Sequence, residues 1–388
     1  MNFGQQSSRA SRREEIMRAR KYEKLMWQIM DNLKQNYDIN TKTLLKDVKN
    51  YSSNKNSENF EKVRASSEPE WIELFRRLNS TSNGTYRLVK LRERIRSLND
   101  EDLKTFDLRL LKLFKYWFNP SFLVLEKIDW ETPANILEKI IEYEAVHEIK
   151  SWDDLRSRLE PIDRRCFAFF HPAMQDEPLI FVQVAIMNEI PSSIDQVLKI
   201  KTKENKLNDK KTAIFYSISN CQDGLKGISF GNFLIKTVAK ELQKELNQLN
   251  EFVTLSPFVG FMDWCKNKDK SFFDKIVNIG FINDEQKQSQ IKNYAYNYIL
   301  KSNRKDNLPN DPVARFHLGN GAILERINLN ADLSDKAMKE GAGIMINYKY
   351  DLNNVEKNHE EFVKNNTVVL SQNANNNLKL LKNKIKVI

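Results

Sequence analysis

Residues 212–246 read TAIFYSISNCQDGLKGISFGNFLIKTVAKELQKEL, and this stretch decides the fold. It opens with TAIFYSIS, β-branched and aromatic as a strand requires. It closes with Phe233, Leu234, Val238, Leu242 and Leu246 on one helical face. Between them run Gly224, Gly227 and Gly231. Glycines there let the backbone approach a ligand closely, and the helix that follows offers unpaired N–H groups and positive dipole to a phosphate. The loop lacks the GK[ST] of a P-loop and the spacing of GxGxxG. The same glycines would also serve a strand-to-helix turn made only for packing, so the pattern leaves both readings open.

Working outward, RRCFAFF (164–170) and PLIFVQVAIM (178–187) read as two more strands. NEFVTLSP (250–257) returns to strand, with Ser256 where the chain leaves the sheet. A charged helical insert is expected over about 266–305. PVARFHLGNGAILERINL (312–329) predicts a hairpin turning at Asn320-Gly321, with His317 on its first strand. GAGIMINYKY (341–350) closes the strand set, and a terminal helix is expected from about 359. Before residue 160 the period is helical: EEIMRARKYEKLMWQIMDNLKQ (14–35), a polar linker near 50–67, then four segments with apolar residues at three-to-four spacing. Pro133 is placed in the first turn of the last of these, with Thr132 as N-cap. The fold class is therefore α+β in two domains, all-helical first and then a mixed-sheet α/β domain. The boundaries expected are 1–67 for a flexible helical segment, 68–163 for a helical assembly domain and 164–388 for the catalytic domain with its helical tail.

Composition narrows the function. The 388 residues carry 62 Lys+Arg against 52 Asp+Glu, a net charge of +10 that suits nucleic acid, a membrane surface or a phosphorylated ligand. No RNA- or DNA-binding motif supports the first, and no apolar run nears the roughly 18 residues a membrane span needs. Cys166, Cys221 and Cys265, an odd number, fit a reducing compartment rather than a disulfide framework. The four histidines stand in no metal-ligand spacing. Residues 1–14 are Ser- and Arg-rich, but Glu14 and Glu15 interrupt a presequence, and the chain does not end in SKL. The expectation is a soluble cytoplasmic protein. AMKE at 337–340 differs from a biotin-attachment box at Glu340, so biotin is not implied.

Two side chains stand out for proton chemistry. His317 can donate or accept near neutral pH, or simply be a satisfied core histidine. Ser256 can hydrogen-bond a substrate, or serve the turn before Pro257. His147, His171 and His359 have weaker claims. Tyr348 and Tyr350 read as packing residues, with one phenol able to reach a site.

The glycine turn resembles the pyrophosphate-binding turn of acetyltransferase-like (GNAT-type) folds, which grip coenzyme A at a helix N-terminus. Taken together, six segments of the chain resemble the malonyl-CoA decarboxylase family, while the first 67 residues match it poorly. The segments that carry the likeness are WETPANILEKIIEYEAVH, RRCFAFFHPAMQDEPLIFVQVAI, AIFYSISNCQDGLKGISFGNFLIKTVAKEL, FVTLSPFVGF, DPVARFHLGNGAILERIN (NPVARF in the family) and GIMINYKY. They cover roughly residues 68–350 in family order. The resemblance implies decarboxylation of malonyl-CoA to acetyl-CoA and CO2 with no metal, biotin or organic cofactor, in a homotetramer. It implies that Ser256 accepts and His317 donates a proton. Lys226, Gly227, Ile228, Ser229, Phe230, Gly231 and Asn232 would bind the thioester, with Ser217, Asn320 and Tyr350 near the pocket. Ser229 stands where animal members carry Glu, so any role of that carboxylate is lost or moved. The segment between Phe261 and Asp311 is shorter than usual, and methylmalonyl-CoA stays open as a second substrate. A coenzyme A-dependent acyltransferase is the alternative enzyme, and a basic nucleic-acid binder ranks last.

Overall fold

The computed structural model describes residues 39–199, 207, 209–228, 230–277, 284–302 and 307–384, with four single positions (24, 28, 31 and 32) ahead of them; at 232 and 382–384 only the backbone is described. The helix expected over 14–35 falls almost wholly outside these residues. The chain divides into two compact units, Met1–Leu110 and Leu111–Ile388.

The first unit is helical, with α1 (Thr41–Ser53), α2 (Ser57–Ser66), α3 (Trp71–Asn79), α4 (Gly84–Leu98) and the start of α5 (Lys104–Trp117). Where a polar linker was expected at 50–67, α2 forms instead. The Asn56 side chain caps it by accepting from Asn59 N, and Glu58 pairs with Lys62 one turn on at 2.6 Å. Trp71, Ile72 and Phe75 on α3 are buried, and the Trp71 ring lies 4.7 Å from that of Phe106.

The second unit begins with β1 (Val124–Ile128), then α6 (Ala134–Tyr143), α7 (Trp152–Leu159), β2 (Arg164–Phe170), β3 (Ile180–Met187), α8 (Ile194–Leu198), β4 (Thr212–Asn220) and α9 (Gly231–Glu245). It continues with β5 (Glu251–Thr254), β6 (Ser256–Pro257), α10 (Phe261–Lys268), α11 (Lys270–Ile276), α12 (Glu285–Lys301) and α13 (Pro312–Gly319). β7 (Ile323–Asn328), α14 (Asp335–Gly341), β8 (Met345–Lys349), α15 (Val355–Asn365) and α16 (Gln372–Lys384) complete it. Eight strands make one sheet in the order β1-β2-β3-β4-β5-β8-β6, with β7 on β8. Among the described strands, only β4 and β5 run parallel, joined through α9. The expected order, a helical N-terminal region followed by a domain built on a mixed sheet, is the one the chain adopts.

Both faces of the sheet are covered, which is why RRCFAFF is buried at every position. Cys166, Ala168 and Phe170 pack under α6 and α7. Phe169, on the alternate face, stacks on Phe233 of α9 at 5.4 Å. All three cysteines are buried and unbridged. No helix among the described residues is long and apolar enough to cross a membrane.

The chain divides at 110/111, and within the second unit β1 pairs antiparallel with β2 while α6 and α7 pack on the sheet. Two expectations are corrected here. Pro133 is itself the N-cap of α6, while Thr132 Oγ1 accepts from Asp129 N in the preceding turn. His317 lies on helix α13, not on a hairpin strand. Asp311 caps that helix by accepting from Val313 N at 2.8 Å, and Pro312 takes the first turn. The Asn320-Gly321 pair ends the helix rather than turning a hairpin. Gly321 has φ of 81°, and a Cβ there would meet Val355 O at 1.9 Å.

Candidate active site

The site begins where two strands part. β4 and β5 are paired from Thr212↔Glu251 to Phe215↔Thr254. Beyond Phe215, β4 continues along β3, whereas the other strand shifts into β6 and pairs with β8. A bulge marks the point of divergence. Gln183 faces Ser217 and Val184 faces Phe215, so Tyr216 is an extra residue on β4. A cavity of about 260 Å³ fills the resulting wedge. Ser217 lines it from β4, Ser256 from β6, and Phe316 and His317 from α13, with Val146 at one side.

The polar groups form a connected chain. Ser256 Oγ lies 2.9 Å from Thr254 Oγ1 and 2.9 Å from His317 Nε2. His317 Nδ1 lies 2.8 Å from the Tyr350 hydroxyl. The imidazole also stacks on Tyr348 at 4.7 Å. Burial lowers the His317 pKa from 6.5 to about 3, so the ring is neutral at physiological pH. Burial also pushes the Tyr350 phenol well above its ordinary value. With Ser256 donating to Thr254, each neighbour supplies the next: Tyr350 O–H to Nδ1, and Nε2–H to Ser256 Oγ. Asn320 caps α13, and its buried Nδ2 makes no hydrogen bond although it lies beside Tyr350, whose phenolate its dipole favours against the larger effect of burial.

The glycine loop stands next to this cavity rather than in its wall. Asp223–Leu225 form a short 3-10 turn that Lys226 caps. Gly227 needs its glycine, with φ of 94°. Lys226 and Gly227 are exposed and Ile228 is half-buried, whereas Phe230 is buried and caps α9. Gly231 opens α9 directly against the Phe316 ring, which links the loop to the helix of His317. Ser229 and the side chain of Asn232 lie outside the described residues.

Residues 121–387 match the family described as malonyl-CoA decarboxylase C-terminal domain, and residues 37–118 match the N-terminal domain of the same family. The chain belongs to the malonyl-CoA decarboxylase family. A goose (Anser anser anser) mitochondrial malonyl-CoA decarboxylase is 33% identical over 344 residues, covering 78% of this chain and 68% of its own. The crystal structure of the Agrobacterium vitis malonyl-CoA decarboxylase superposes with a TM-score of 0.85 at 43% identity, covering 91% of this chain and 90% of that one. The Rhodopseudomonas palustris structure gives 0.83 at 40%, covering 90% and 89%.

Of the residues that the family resemblance singles out, Ser217, Ser256 and His317 line the cavity, and Tyr350 and Asn320 stand behind His317. Sequence reading missed Glu144. Its carboxylate accepts from Ser217 Oγ at 2.7 Å, Gln183 Nε2 at 3.0 Å, and the backbone N–H groups of Val146 and His147 at 2.8 and 2.9 Å. Nothing in its spacing marks it, because it lies just past the end of α6, where helical periodicity stops. Asp311 was also missed. Burial raises its pKa from 3.8 to about 7, against the pull of the Val313 and Ala314 N–H groups and Arg315.

Proposed function

We propose that the chain decarboxylates malonyl-CoA to acetyl-CoA and CO2 in the cavity between β4 and β6, as a carbon–carbon lyase. What carries the reading, beyond family membership, is the buried chain from Tyr350 through a neutral His317 to Ser256 at the wall of that cavity. Loss of CO2 breaks the bond from the α-carbon to the carboxylate and leaves its electron pair in a thioester enolate. One preorganised donor to such an oxyanion stabilises it by roughly 3 kcal/mol. Neutral His317 and Ser256 are the donors available. A proton passed from Ser256 Oγ to the α-carbon is replaced from Nε2–H, and Tyr350 O–H stands behind Nδ1. One proton from solvent restores the chain at each turnover. In a second role, Ser256 holds the departing carboxylate. No step in this scheme calls on a metal or biotin.

Coenzyme A binding is assigned to Lys226–Asn232 and the first turn of α9. The positive φ of Gly227 and the start of a long helix that no described side chain caps support it. The reading carries with it a cytoplasmic homotetramer. The goose relative's name places that protein in mitochondria, so cell fractionation and light scattering decide compartment and assembly.

The test is purified protein with malonyl-CoA and no additives, following CO2 and acetyl-CoA by mass spectrometry with EDTA and avidin controls. Stoichiometric products, insensitive to both controls, are expected. Intact malonyl-CoA that nevertheless binds would overturn the decarboxylase reading in favour of acyl transfer.

A further inference from the structure

We infer that Val146 is the partition that limits the size of the acyl group this site accepts, and that the excluded substrates are 2-alkylmalonyl thioesters. The inference rests on the decarboxylase reading above. A second cavity, of about 620 Å³, lies within the same unit. Among the described residues Val146 is the one shared by both walls. Beyond it the wall includes Ile194, Leu198 and Ala331, apolar surface able to take an alkyl group.

The partition is rigid because the peptide groups around it are tied down. Val146 N and His147 N both donate to the Glu144 carboxylate, at 2.8 and 2.9 Å. Ala145 N donates to Ser219 Oγ at 3.2 Å, and Ala145 O accepts from Lys336 Nζ at 2.7 Å. On the other side, His147 O accepts from Arg158 Nη1 at 2.7 Å. Five hydrogen bonds thus fix three consecutive residues, and the loop cannot swing aside to admit a larger group. Val146 is the residue common to both linings, so removal of its methyl groups is expected to join the two spaces.

The chemistry is unchanged for a substituted substrate. The bond to the carboxylate breaks, its electron pair enters the enolate, CO2 leaves, and a solvent-derived proton reaches the α-carbon through Ser256. Only the room beside the α-carbon differs. A single methylene in an apolar pocket changes discrimination by about 10- to 200-fold.

The experiment compares kcat/KM for malonyl-, methylmalonyl- and ethylmalonyl-CoA in the wild type, Val146→Ala, Val146→Ile and Leu333→Ala. Val146→Ala is expected to raise the ethylmalonyl-to-malonyl ratio about tenfold or more. Val146→Ile is expected to lower the methylmalonyl-to-malonyl ratio, which keeps the test alive if one variant folds poorly. Leu333→Ala, in the wall of the second cavity alone, is expected to keep the wild-type ratio. Unchanged ratios in active Val146 variants overturn the inference alone. A wild type inert toward malonyl-CoA overturns the decarboxylase reading, and this inference with it.

Discussion

The Phe316 ring occupies the place of a Cβ on Gly231: built there, that atom would stand 1.9 Å from Cε2. The glycine that opens α9 is thus required by the residue next to His317. Gly231→Ala must displace the Phe316 ring beside His317, and overpacking of this kind costs about 1–3 kcal/mol. We expect a lower Tm and a fall of at least tenfold in kcat. A variant with wild-type kcat would show that the loop and the His317 helix are not coupled.

Tyr350 holds Nδ1 of a neutral imidazole. Tyr350→Phe keeps the ring and removes the hydroxyl. A buried hydrogen-bonding group left without its partner costs about 1–3 kcal/mol. If that cost falls on the transition state, kcat drops roughly 10- to 100-fold with KM little changed. A change in KM alone would place Tyr350 in substrate binding.

Stability and pH are linked through Asp311. Its folded pKa, about 7, lies above the ordinary 3.8. Between those values the folded state keeps a proton that the unfolded state has released, so this group's contribution is fully present below pH 4 and is lost as pH rises through 7. Asp311→Asn keeps an N-cap and removes the titration. Its stability relative to the wild type should therefore rise from pH 4 to pH 7 and then level, by up to ~4 kcal/mol. Urea unfolding at pH 4, 6 and 8 measures this; a difference that stays flat with pH would contradict it. His317 works in the opposite direction. Its folded pKa of about 3 makes stability fall as pH drops below 6.5.

Glu144 accepts the Ser217 proton, which leaves Ser217 to present lone pairs to the cavity. Glu144→Gln sets an amide N–H against donors. We expect kcat/KM to fall at least tenfold. In a Ser217→Ala background the same change should cost much less, because the carboxylate acts partly through that hydroxyl. Fully additive losses would make Glu144 a fold residue only.

How much of this was legible in the sequence follows from the range of each signal. The strand–glycine–helix of 212–246 was readable because each part is a local pattern. Ser256 and His317 were found as residue types with the right chemistry, yet their 2.9 Å contact joins positions 61 apart that no periodicity relates. The hairpin expectation failed at 312–321 because Asn-Gly marks a helix end as well as a turn. Asp311-Pro312, a cap and a first-turn proline, was the signal that should have decided. β1 was missed because VLEKI is short and mostly exposed, and it is held by pairing with β2 rather than by its own pattern. Glu144 draws its meaning from Ser217, 73 residues away.

The central claim is that His317 performs the proton chemistry on malonyl-CoA rather than merely filling the core. The most direct measurement compares turnover and malonyl-CoA affinity in the wild type and His317→Asn, with the fold monitored by circular dichroism. The account predicts a folded variant that binds malonyl-CoA with an affinity within a fewfold of wild type while kcat falls by at least 100-fold, the lower end for loss of a general acid. A folded variant with unchanged kcat would contradict it.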